Sequence, residues 1–122
     1  MYNVEFERPM VWIGSSRRDL RGFPRVVRRD IGLALYAAQQ GETDPAAKPL
    51  RGFGGASVLE IVADHKGDTW RAVYTVRYVE AIYVLHAFQK KSTKGIATSK
   101  KDVDLILRRL AEAERLHREG QN

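Results

Sequence analysis

The chain of 122 residues contains no cysteine. That excludes disulfides, thiolate nucleophiles and cysteine-based zinc sites, and it suits a reducing compartment. Nor does any apolar run approach the roughly 20 residues that a membrane-spanning helix needs. The first residues, MYNVEFERPMVWIG, place Glu5, Glu7 and Arg8 ahead of any apolar stretch, which is not the pattern of a secretory signal. The expected location is the cytoplasm, with no membrane contact. Internal repeats and low-complexity tracts are missing too. The three histidines, His65, His86 and His117, lack metal-ligand spacing, and no cofactor is expected.

Acidic residues are the minority: 15 Asp and Glu face 21 Lys and Arg, a net charge of +6. Such a balance favours polyanionic partners, whether RNA, DNA, the ribosome or an acidic protein. With 43% hydrophobic and 30% charged residues the chain reads as one globular domain.

The most informative stretch is GDTWRAVYTVRYVEAIYVLHAFQKKS, Gly67 to Ser92. It reads as two strands, Thr69 to Tyr78 and Ile82 to Phe88, joined by a turn at 79–81. Alternation puts Trp70, Ala72, Tyr74, Val76 and Tyr78 on one face and Thr69, Arg71, Val73, Thr75 and Arg77 on the other. By the same rule His86 shares a face with Val84 and Phe88, an apolar set where a lone histidine is more often a core residue than a catalyst. Lys90, Lys91 and Lys94 follow directly. Cations on a sheet face and at its exit suggest a phosphate-binding floor.

Upstream, Ser57 to Ala63 reads as another strand, with Leu59 and Ile61 on one face and Val58, Glu60 and Val62 on the other. A hairpin loop at 64–68 then offers Gly67 for positive φ. Met10 to Ile13 is a short edge strand. Ser15 and Ser16 are candidate helix N-caps. A first helix is interrupted near Gly22 to Pro24. A second runs from Pro24 to about Gln40, its buried stripe Val27, Ile31, Ala34 and Ala38, with Gly41 as C-cap. Arginines crowd both helices, and a solvated surface is their ordinary role. Gly41 to Gly55 reads as a loop in which Leu50 plugs the core. Its glycines precede a strand rather than open a helix, so they are no nucleotide-binding fingerprint. Ser99-Lys100-Lys101-Asp102 has the form of a capping box, followed by a helix with the stripe Val103, Ile106, Leu107, Leu110 and Ala113.

The order is strand, helical hairpin, glycine loop, three-strand meander, basic loop, helix. With PLRGFG, VLEI, WRAVYTV and YVLHAFQKKS in sequence, it resembles the RelE/ParE toxin superfamily over about Val11 to Glu114, and is most similar to the phage-derived RelE-like branch that includes HigB-type toxins. The resemblance implies an α+β, RelE-like fold: an N-terminal helical hairpin and a C-terminal helix packed on a small, mainly antiparallel sheet. It also implies the toxin of a type II toxin–antitoxin pair, a ribosome-dependent mRNA endonuclease acting by metal-independent attack of a 2′-hydroxyl. The partners it implies are the ribosome, mRNA and a helix-turn-helix, HigA-like antitoxin.

Carried over residue by residue, Arg71 matches the family's strand arginine that holds the scissile phosphate, and Lys90 and Lys91 match the basic pair after the last strand. His86 and Glu60 are further catalytic candidates. Arg51, Arg77, Lys94 and Lys100 are candidate RNA contacts. One departure stands out: relatives carry lysines on the strand where this chain has Glu60 and Val62. Glu60 is either a general base or the ion-pair partner of Arg71, and the ion pair is preferred. Two other readings remain open at this level. One is a ParE-like toxin that inhibits gyrase; the other is a non-catalytic basic RNA-binding protein of phage descent.

Overall fold

The computed structural model describes residues 7–90 and 98–120. Its elements are β1 (Met10–Trp12), α1 (Ser16–Arg21), α2 (Arg25–Gln39), β2 (Ala47–Pro49), β3 (Val58–His65), β4 (Asp68–Thr75), β5 (Ile82–Lys90) and α3 (Lys100–Gly120). The five strands form one sheet in the order β1-β5-β4-β3-β2. Among the described residues, only the β1–β5 pair is parallel. The expected α+β architecture, helical hairpin included, is therefore what the chain adopts.

Each face of the sheet is apolar where a helix covers it. On one face, Val27, Ile31, Ala34 and Ala38 of α2 pack with Leu59, Ile61, Ala72, Tyr74, Ile82 and Val84. The predicted stripe of α2 is buried at all four positions. The opposite face carries a second core, in which Ile106 and Ala113 of α3 meet Val58, Val73, Tyr83 and Leu85. Leu50 joins that second core, as expected of a plug. The sheet is thus greasy on both sides. Leu107 departs from the predicted α3 stripe and is exposed, because the stripe that docks runs through Ile106, Leu110 and Ala113.

Local geometry corrects several boundaries. The β3–β4 hairpin closes at Lys66 and Gly67, whose φ values of 52° and 85° are both positive. A two-residue turn of that kind matches the right-handed twist of the strands it joins, so β3 extends to His65 and the predicted five-residue loop shrinks to two. β4 ends at Thr75, not Tyr78. Tyr78 therefore leaves the Trp70 face and packs into the second core. The serines of the β1–α1 turn do not cap α1: the Ser15 hydroxyl donates to Asp19 Oδ2 at 2.7 Å, and that of Ser16 to the Val84 carbonyl at 3.2 Å.

The decisive irregularity is in β5. Val73 pairs with His86, yet the next residue, Tyr74, pairs with Val84. Leu85 is the extra residue of a β-bulge, and a bulge reverses the face on which later side chains fall. Ile82 and Val84 lie in the α2-side core, while Leu85 and Phe88 lie on the α3 side. The alternation that grouped His86 with Val84 is overturned for this reason. Arg109 of α3 answers the bulge, donating from Nη1 to the Leu85 carbonyl at 3.0 Å and from Nη2 to Ser15 Oγ at 3.1 Å.

Candidate functional site

The register lines up three rows of side chains on the α3-side face. Lys48, Glu60, Val73 and His86 form the first, across β2, β3, β4 and β5; Val62, Arg71 and Phe88 the second; Asp64, Thr69 and Lys90 the third. Successive rows are two residues apart, roughly 7 Å along the strands. The bulge at Leu85 is what brings His86, Phe88 and Lys90 onto the face of Arg71.

α3 roofs only part of this face. Beside it, over β2, β3 and β4, lies a hollow of about 620 Å³. Glu60 and Arg71 form its floor, Leu50 and Val62 an apolar wall, and Lys48 and Arg51 an exposed cationic lip. Thr98 and Val103 close the side nearest α3.

Arg71 and Glu60 are an ion pair, with Nη1 to Oε2 at 2.8 Å and side chains only 10% and 5% exposed. They are diagonal neighbours, since Glu60 stands opposite Val73 and Arg71 opposite Val62. Thr98 Oγ1 donates to the same Glu60 Oε2 at 3.4 Å. Among the described residues, Arg71 Nε is buried without a hydrogen-bond partner. A charged donor in that condition is expensive to leave unanswered, and an acceptor arriving through the hollow would relieve it.

His86 sits in the same row as Glu60 but does not line this hollow. Its Nε2 lies 2.8 Å from Asp102 Oδ1, and its ring stacks on Phe88 at 4.5 Å. Asp102 is in turn fixed by the start of α3. Its backbone N–H donates to Ser99 Oγ at 3.2 Å, and its Oδ2 accepts from the Ser99 hydroxyl at 2.8 Å. The predicted cap therefore forms, with the carboxylate facing the hydroxyl instead of the backbone. Burial lowers the His86 pKa, and the Asp102 hydrogen bond and charge only partly oppose it. The buried, unpartnered Nδ1 agrees with a neutral ring that donates from Nε2.

The sequence-predicted residues thus divide. Glu60, Arg71 and Arg51 meet in the hollow. Lys90 shares their face, opposite Thr69 on the hollow's margin. Lys91 and Lys94 lie outside the described residues. Lys100 pairs with Asp104 at 3.0 Å and opens onto the neighbouring recess shared with His86 and Asp102. Arg77 is outside the hollow: β4 has ended before it, and its Nη2 reaches Ser57 Oγ at 3.5 Å. Lys48 is the residue that sequence reasoning missed, because β2 looked like loop. Its signal was the short AKP run pairing in register with the β3 strand.

The profile of a family described as phage derived protein Gp49-like matches residues 18–111. No curated protein matches the chain. Among solved structures, a chain of the toxin-antitoxin complex RelBE2 from Mycobacterium tuberculosis is similar at 17% identity and a TM-score of 0.47, over 72% of this chain and 97% of that one. Among the described residues, no helix is long and apolar enough to cross a membrane.

Proposed function

Since the chain belongs to the phage-derived Gp49-like family, a RelE-like toxin family, we propose that the Arg71 hollow is its active site and that it cleaves mRNA on the ribosome. The observation that carries this reading is the buried Arg71 guanidinium, whose Nε has no partner among the described residues, at the floor of a hollow lipped by Lys48 and Arg51. A phosphodiester is the ligand that such a donor set suits.

In this reaction the RNA 2′-oxygen attacks the adjacent phosphorus. The P–O2′ bond forms as the 2′-hydroxyl proton passes to water, and the P–O5′ bond breaks as water returns a proton to the departing oxygen, so the products are a cyclic phosphate and a 5′-hydroxyl. Arg71 stabilises the charge that builds on the phosphorane, where one preorganised donor is worth about 10²–10³ in rate. Lys48 and Arg51 hold the flanking backbone. Lys90, at the margin, is the nearest described cation of the basic loop. Glu60 serves as the holder of Arg71: its Oε2 already accepts from Arg71 and Thr98. His86, neutral and tied to Asp102 in the adjoining recess, fixes α3 rather than the substrate. A protein antitoxin completes the pair.

The test is to map RNA 5′ ends in a translating extract with the wild type and Arg71→Ala. New ends inside translated codons, lost with Arg71→Ala, support the reading. Intact messages alongside DNA damage would instead favour a gyrase-directed toxin. Intact RNA and unaffected growth would mean a non-catalytic binding protein.

A further inference from the structure

We infer that Asp64 and Thr69 read the base of a nucleotide held in the Arg71 hollow, and that they select guanine. This rests on the reading that the hollow takes RNA, and it names the feature of the RNA that the hollow prefers.

A phosphate group fills only a small part of a hollow of about 620 Å³. The lining beyond Arg71 suits a base. Val62, half-buried directly opposite Arg71, presents hydrocarbon to the hollow, with Leu50 and Val103 beside it. Asp64 and Thr69 line it one row further along, roughly 7 Å from the Arg71 row. That separation is within the reach of one nucleotide from its phosphate to its base edge. Apolar walls with a few placed polar groups are what orient a small ligand. Asp64 is the carboxylate that phosphate binding alone does not explain. The other one, Glu60, is held by Arg71 and Thr98. Asp64 is exposed, and among the described residues no cation pairs with it. Its charge repels the phosphates that Lys48 and Arg51 attract. A ligand that brings N–H donors turns this cost into a gain, and in RNA only the bases carry N–H groups. A cationic peptide would also suit Asp64, but Lys48 and Arg51 would repel it.

The hydrogen-bond pattern then chooses among the bases. The Thr69 hydroxyl donates to Asp64 Oδ1 at 3.0 Å. With that proton committed, Thr69 Oγ1 can only accept, as can both carboxylate oxygens. The two side chains stand directly opposite each other on β3 and β4, so together they present a short edge made entirely of acceptors. Guanine alone among the four bases carries two adjacent donors, N1–H and the N2 amino group, on its pairing edge. Adenine, cytosine and uracil each place an acceptor beside their donor there, and that acceptor would face another. Unpaired bases are read on this edge in single-stranded RNA. A good bidentate contact to a base discriminates by about 5–150-fold. Water competes at the exposed Asp64, which sets the expectation at about 10-fold.

The test uses the full chain and its Asp64→Asn and Thr69→Val variants in two arms. The first measures affinity for short RNAs with a 2′-deoxy at the scissile position, varied in the bases on either side of it. The wild type should bind guanine about 10-fold tighter than the other three bases. Hypoxanthine, which lacks the N2 amino group, should lose most of that margin. Asp64→Asn keeps an acceptor for Thr69 but turns an N–H donor outward. Its preference should move to adenine or cytosine, with the thermal midpoint unchanged. Thr69→Val should bind with less preference for guanine. The second arm maps RNA 5′ ends in a translating extract. Wild-type cuts should gather beside guanine, and those of Asp64→Asn should not, at a similar total yield. Equal affinity for all bases, or a guanine preference that survives Asp64→Asn, overturns the inference and leaves the nuclease reading standing. Guanine preference that Asp64→Asn shifts, with messages left intact, supports the inference and sinks the nuclease reading. A wild type that neither binds nor cuts RNA sinks both.

Discussion

Glu60→Gln separates the two roles open to this carboxylate. The change keeps the shape and an acceptor for Arg71 Nη1 but removes the charge 2.8 Å away. Deleting one member of a buried pair outright costs about 3–5 kcal/mol; with the amide still accepting, the loss should be nearer 2 kcal/mol. In a domain of this size that lowers the thermal midpoint by roughly 5–10 °C. The effect on RNA has the opposite sign. A carboxylate beside Arg71 repels an incoming phosphate, and at about 5 Å with an effective dielectric near 20 the repulsion is roughly 3 kcal/mol. Solvent in an open hollow reduces this to about 1–2 kcal/mol, so RNA should bind roughly 10-fold tighter. The assay is the affinity for an RNA with a 2′-deoxy at the scissile position, beside single-turnover cleavage on programmed ribosomes. Tighter binding with cleavage kept within about 10-fold fits a holder of Arg71. A drop in cleavage of about 10²–10⁴ with unchanged affinity would make Glu60 the general base and refute the reasoning.

Lys48→Ala should weaken RNA binding by a few-fold and reduce the salt slope by about 1, with stability unchanged within about 0.5 kcal/mol; titrations at three salt concentrations check it. His86 gives a pH dependence. Its folded pKa lies below the ordinary value of 6.5, so the unfolded chain takes up the proton first. Its contribution to stability is present above about pH 6.5 and is lost as pH falls through the lowered folded value. Urea midpoints from pH 7.5 to 5 should fall more steeply in the wild type than in His86→Gln. Gly14→Ala should destabilise by about 1–3 kcal/mol in urea titrations, since φ there is +56° and an added Cβ would sit 2.8 Å from Arg109 Nε.

Periodic features were legible. The α2 stripe, the three-strand meander and Leu50 follow from spacing and from a hydrophobic residue caught among glycines. The Arg71–Glu60 pair was also within reach, because opposite charges on neighbouring strands of one face have few other partners. What escaped depends on pairing rather than composition. Ala47–Pro49 sits in a proline- and glycine-rich stretch and becomes a strand only because β3 offers it an edge. Arg77 and Tyr78 continue an alternating pattern past the point where the ladder stops. Leu107 fits a helical period that tertiary docking rotates away from the core. His86 was misplaced because side-chain alternation carries no mark of an inserted residue.

That insertion governs how relatives of this chain should be compared. Ile82 and Val84 belong to one side and Phe88 and Lys90 to the other, so β5 is written in two frames that meet at Leu85. Any alignment that carries an unbroken two-residue period across this point will assign Lys90 to the wrong surface. A relative with one residue fewer here, but the same hydrophobic and basic letters on either side, can present the same face. One of equal length with no bulge would need its pattern inverted beyond position 85.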